Sequence, residues 1–153
     1  MEVKIKTFDE LTTKELYEIL KLRADVFVVE QNCIYPDLDD IDYRSIHIFY
    51  ENEDETIAAY LRFFKKEGEN DTVQIGRVVT SKRMRGTGLG GRLLGEGIKA
   101  AEKMMNPQEM CLSAQTYATG FYAREGFEIT SEEYLEDGIP HIEMLLDETS
   151  ATQ

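Results

Sequence analysis

The chain has 153 residues, 42 % apolar and 31 % charged, an ordinary composition for one globular domain spanning 1–153. Seventeen basic residues oppose thirty acidic ones, a net charge of −13, which argues against a nucleic-acid binder and against docking on anionic lipid. No apolar run approaches the roughly 18–20 residues that span a bilayer. MEVKIKTFDE has no apolar signal core, and the isolated Cys33 and Cys111 suit a reducing, cytoplasmic setting.

The first helix is predicted to start at Thr12, where Glu15 completes a capping box. Leu16, Ile19 and Leu20 continue it as an apolar stripe toward Val26 and Phe27. A loop over 30–42 follows, rich in Asp and broken at Pro36. Its Asp37, Asp39, Asp40 and Asp42 fail the calcium-loop pattern, because Ile41 takes the fifth position and Asp42 stands where glycine is needed. They read as an acidic rim or a solvated loop, and a rim beside an acceptor site would favour a cation. Strands are predicted at 45–50, 57–64 and 73–79, separated by polar turns at 51–55 and at KKEGEND.

A second helix over 88–105 carries Leu89, Leu93, Leu94, Ala101 and Met105 on one face and ends at Asn106 and Pro107. Next come a buried strand at 110–114, a short helix at 117–125 with Gly126 as its C′ residue, and a strand at 141–146. The tail from 147 onward is expected to fray. A right-handed crossover makes the strands at 73–79 and 110–114 parallel. The class is α/β, with a mixed sheet in a single domain.

Residues 77–92 hold Arg77, Lys82, Arg83, Arg85 and Arg92 and no acid. The same stretch holds Gly86, Gly88, Gly90 and Gly91, the densest glycine cluster in the chain. A glycine-rich turn that opens a helix presents unpaired amides and a partial positive charge, and so takes a phosphate. Gly86, Gly88 and Gly91 match a Rossmann fingerprint literally, which leaves a dinucleotide-binding domain open. The ribose-binding acid expected about 20 residues on is missing; the chain there reads Met105, Asn106, Pro107.

Arg85, Gly86, Thr87, Gly88, Leu89 and Gly90 resemble the acetyl-CoA motif R-x-x-G-x-G of the Gcn5-related N-acetyltransferase (GNAT) family. Phe121, Tyr122, Gly126 and Phe127 resemble the family's F-Y-x-x-x-G-F context. LRADVFVVEQNCIYPDLDDIDYRSIH, with DGIPHIEML near the end, is similar to the ElaA-like branch. The matching residues are Arg23, Val26, Phe27, Glu30, Gln31, Tyr35, Asp39, Asp42 and His47, then Gly138 to His141.

The resemblance implies a single-domain GNAT acyl-CoA N-acyltransferase fold, with a partly antiparallel sheet, splayed parallel central strands and flanking helices. It implies acetyl-CoA as co-substrate and no metal. The pyrophosphate would rest on the backbone of Arg85, Gly86, Thr87, Gly88, Leu89, Gly90 and Gly91, and the pantetheine arm would pair with Val78, Val79 and Thr80. Tyr122 would protonate the leaving thiolate, and the acceptor would be a primary amine of a small molecule or peptide. A homodimer is an assembly frequent in the family. Many relatives carry a glutamate on the strand before the glycine loop, but here that strand reads VQIGRVV. Glu30 and His47, with Asp42 and His141, are therefore the candidates for base or substrate contact. The missing carboxylate also leaves open a non-catalytic CoA-binding module.

Overall fold

The computed structural model describes residues 1–68 and 71–149. Glu69 and Asn70 of the KKEGEND turn, and 150–153 of the tail, lie outside the described residues. Strand β1 (Lys4–Thr7) precedes helix α1 (Thr13–Arg23), which runs on as a π-helical segment, Ala24–Glu30. Strands β2 (Ile46–Glu51), β3 (Ile57–Lys65) and β4 (Thr72–Thr80) follow. Helix α2 (Leu89–Met105) leads to β5 (Glu109–Gln115), α3 (Thr119–Ala123), β6 (Glu128–Ile129), β7 (Tyr134–Glu136) and β8 (Ile139–Asp147). Beyond β8, the Glu148 amide donates to the Gln108 carbonyl.

The capping box at Thr12 forms in both directions: the Glu15 amide bonds the Thr12 hydroxyl at 3.0 Å, and the Glu15 carboxylate accepts the Thr12 amide at 2.8 Å. The eight strands form one sheet, ordered β1-β2-β3-β4-β5-β8-β6, with β7 added on β8. Helices cover both faces. Ile48, Leu61 and Phe63 pack with Leu93, Leu94 and Ala101 of α2. Phe49, Tyr60 and Val79, on the opposite face, pack with Ile19 of α1. Burial on both faces explains why β3 reads as an apolar run broken only by the paired Arg62, instead of alternating.

Two irregularities shape the middle of the sheet. Parallel β4 and β5 pair only at Thr72–Glu109, Val73–Met110 and Gln74–Cys111, and then separate. Opposite β3, β4 carries a bulge: Tyr60 faces Val79 and Arg62 faces Gly76, so Arg77 and Val78 share Leu61. Arg77 takes φ +51°, a left-handed conformation uncommon for a side chain of its size. Bulges bend a strand, and this one lies where β4 leaves β5.

Among the described residues β4–β5 is the one parallel pair. A doubly wound dinucleotide sheet needs several, so the Gly86, Gly88, Gly91 match is not a Rossmann turn. β1, β6 and β7 were not expected from the sequence. They are short and are held by pairing, β1 on β2 and β6 and β7 on β8; Lys4 and Lys6 of β1 also bond Glu15. No helix among the described residues is long and apolar enough to cross a membrane.

Candidate active site

The chain leaves β4 at Thr80, makes a short 3-10 turn over Lys82–Met84, and enters α2 through Gly88. Gly86 and Gly88 take φ +79° and +82°, which only glycine adopts without strain. As N-cap, Gly88 offers no side chain to the first amides of α2, which also lack helical acceptors. The Thr87 hydroxyl donates to the Met84 carbonyl at 2.6 Å and fixes the loop from within. Gly90 lies so close to β4 that a Cβ there would stand 2.9 Å from Thr80 Oγ1. These amides border a cavity of about 440 Å3, with Arg92 and Arg124 on its wall.

The basic stretch divides. Arg77 turns away from the glycine loop to Asp37, whose Oδ1 is 2.8 Å from its Nε. Arg83 is 3.9 Å from Asp54, and Arg92 lies over the Tyr50 ring. Arg85 stays at the loop and grips Glu30 with two bonds of 2.5 and 2.6 Å.

The separation of β4 from β5 opens a second cavity of about 490 Å3. Val78, Val79 and Thr80 form one wall, Ser113, Gln115 and His141 another, and the π-helical segment a third. Tyr122 of α3 also lines it. The two cavities share Thr80 and Arg85 and so lie side by side. Tyr122 is 9 % exposed, with its ring edge-on to Phe121 and Phe127. Burial pushes its phenol well above the ordinary value, so it stays protonated throughout the neutral range.

The expected base candidates separate. Glu30 lines the cavity, but Arg85 occupies its carboxylate and holds it below the usual range. His47 does not line the cavity, which corrects its selection as a base or substrate contact. It is 1 % exposed; its Nε2 donates to the Asp42 carbonyl at 2.9 Å, and its Nδ1 accepts from the Tyr60 hydroxyl at 2.7 Å. Burial lowers its pKa, as for a neutral core histidine. His141, by contrast, lines the cavity.

The Asp-rich loop is not an acidic rim. Arg23, fully buried, bonds Asp37 Oδ2 at 2.9 Å and Asp42 Oδ1 at 2.7 Å. Arg62 bonds both Asp39 oxygens and Asp42. With Arg77, three cations face three carboxylates, so Asp37, Asp39 and Asp42 neutralise arginines within the protein. Asp40 remains outside and makes the turn at φ +66°. Gln31, Cys33, Tyr35, Gln115 and Glu136 also line the cavity and were not singled out as site residues. They come from separate elements with no shared local pattern; Gln31 and Tyr35 were marked only as ElaA-like.

A glycine-rich helix start beside a separating parallel pair, with a buried tyrosine on the gap, is the framework of an acyl-CoA N-acyltransferase. The description "Acetyltransferase (GNAT) domain" matches residues 9–148. Protein ElaA of Escherichia coli is 39 % identical over 137 residues, which cover 88 % of this chain and 89 % of that one. The crystal structure of Escherichia coli ElaA superposes with a TM-score of 0.89 at 35 % identity, over 96 % of this chain and all of that one. An acyl-CoA N-acyltransferase from Pseudomonas aeruginosa superposes with a TM-score of 0.87 at 39 % identity, over 95 % of this chain and 99 % of that one. The chain belongs to the GNAT family of acetyltransferases, on its ElaA-like branch.

Proposed function

We propose that the chain transfers an acetyl group from acetyl-CoA to a primary amine of a small molecule or peptide, by direct attack of the amine on the thioester. The observation that carries this reading is the adjacency of two cavities at Thr80 and Arg85, one bordered by the start of α2 and the other lined by Tyr122. Each part suits one part of the donor. The first amides of α2 and the charges of Arg85, Arg92 and Arg124 hold a pyrophosphate. The unpaired edge of β4 at Val78, Val79 and Thr80 offers backbone partners to the amides of a pantetheine arm. Arg85 exchanges Glu30 for phosphate, or binds both.

Tyr122 gives its proton to the departing sulfur. A dry wall that keeps the phenol protonated also raises the proton affinity of a thiolate beside it, so the two remain matched. Calorimetry with acetyl-CoA and with free CoA tests the reading, together with thiol release over a panel of primary amines. Binding of both ligands and acetylation of at least one amine are expected. No binding at millimolar ligand would overturn it.

A further inference from the structure

His141 is 7 % exposed, yet it lines the wide cavity. It sits in the middle of a row across three strands, with Gln115 of β5 opposite it on one side and Tyr134 of β7 on the other. Tyr134 stacks on its ring, centroids 6.3 Å apart and planes 25° apart, and the Tyr134 hydroxyl is tied to Ser113 Oγ on β5. The imidazole is thus held from two directions.

Its tautomer is held as well. Nδ1 lies 2.7 Å from the Ile139 carbonyl oxygen, which can only accept, so Nδ1 carries the hydrogen. In the neutral ring the lone pair is then on Nε2. Glu136 Oε2 stands 3.4 Å from Nε2, and the Glu136 side chain is 51 % exposed. A histidine at a cavity wall, with a fixed tautomer and a carboxylate beside its free nitrogen, is built to accept a proton. Two of the alternatives fall away: β4 brings no carboxylate, and His47 lies in the core.

We propose that His141 is the general base of the acetyl transfer and that Glu136 is its positioning residue; this rests on the transferase reading above. The amine nitrogen bonds to the thioester carbon as the carbon–sulfur bond breaks. The sulfur takes the Tyr122 proton, and the nitrogen gives one proton to His141 Nε2. Glu136, at the solvent boundary, stabilises the imidazolium and passes its proton to water, while water reprotonates Tyr122. Titratable groups near the ring are Glu136, Asp137 and Tyr134, Glu143 two residues along β8, and the Cys33 thiol, which bonds the Asp137 carbonyl. β5 presents neutral Gln115 and Ser113.

The test compares wild type, His141→Gln and Glu136→Gln. Acetyl-CoA affinity is read by calorimetry. Turnover is read with the amine panel, or with acetyl-CoA hydrolysis, where water replaces the amine, if no amine reacts. His141→Gln is expected to lose about 100-fold in kcat/KM at unchanged acetyl-CoA affinity. It should also lose the acid limb that remains after the amine's own ionisation is divided out. Glu136→Gln, on an exposed side chain, lowers kcat several-fold and moves that limb to lower pH. A His141→Gln enzyme with wild-type kcat/KM and an intact limb overturns the base while leaving the transferase standing. Should His141→Gln not fold, an unchanged profile in Glu136→Gln overturns the pair. A wild type that binds acetyl-CoA and turns over nothing removes the transferase reading and the base with it.

Discussion

Tyr122 and Arg23 are both buried, and their removal has opposite signatures. Tyr122→Phe deletes one oxygen on a cavity wall and leaves the ring packed on Phe121 and Phe127. We expect kcat to fall by about 10²- to 10⁴-fold, with acetyl-CoA affinity and thermal midpoint unchanged; an unaltered kcat would remove the residue as acid. Arg23→Met takes the central cation from the network of arginines and aspartates and leaves Asp42 only Arg62 and Asp37 only Arg77. Breaking a buried pair from one side costs about 3–5 kcal/mol, to be read as a large fall in the urea midpoint. The same aspartates show a limit of reading residues singly. Four aspartates in six positions look like surface, because the arginines that neutralise them lie on α1, β3 and β4.

At the scale of elements, Gly90 joins two of them. A Cβ at this position crowds Thr80 Oγ1 and presses α2 away from β4. Gly90→Ala is therefore expected to weaken acetyl-CoA binding about ten-fold, in line with the 1–3 kcal/mol typical of overpacking. Calorimetry checks it, and an unchanged Kd would show that the crowding is absorbed elsewhere. Glu15 ties α1 to β1: although burial opposes ionisation, Lys6, the Thr12 amide and Lys4 bring it down to about 2. Against the same pull of burial, Arg62 and Arg77 bring Asp39 to about 2. Folded pKa values below the unfolded ones mean stability that is full above the unfolded pKa and lost as pH falls. Urea midpoints should begin to drop below the ordinary histidine value of about 6.5, as His47 is forced to charge, and continue down to about pH 2 as the carboxylates protonate. Glu15→Gln should flatten the lower part of that curve.

Local rules made much of this legible. The capping box at Thr12, the apolar face of α2 and the glycine loop each state their purpose within a few residues. β1 and β6 do not, because each pairs with a strand distant in sequence; β7 pairs with β8 across the two residues Asp137 and Gly138, a local hairpin signal that three residues of strand leave faint. The π-helical segment after Arg23 also escapes a periodicity argument, since an apolar stripe continues through it. Within the candidate site, the loop that opens α2 was readable from glycine and charge. On the opposite wall only His141 was a candidate; that Tyr134 and Ser113 meet around it follows from the pairing of β5, β7 and β8.

For the whole molecule, the charge of −13 conceals a division of labour. Three of the acids in the Asp-rich loop are consumed internally, and from Glu125 to Thr149 the chain has no lysine or arginine at all. At the start of α2, by contrast, Arg85, Arg92 and Arg124 stand together around one cavity. The divergence of β4 from β5 has a consequence for the sheet itself. It leaves an edge inside the protein, walled by α3 and the π-helical segment, where no second chain can add a strand. On the proposed function an extended pantetheine arm pairs there, so the enzyme would complete its own sheet with its substrate and lose that strand at every product release. Hydrogen exchange will report it: amides around Val78, Val79 and Thr80 should exchange like those of an outer edge in the free protein and slow markedly with CoA. Equal exchange in both states would mean that the gap is never bridged.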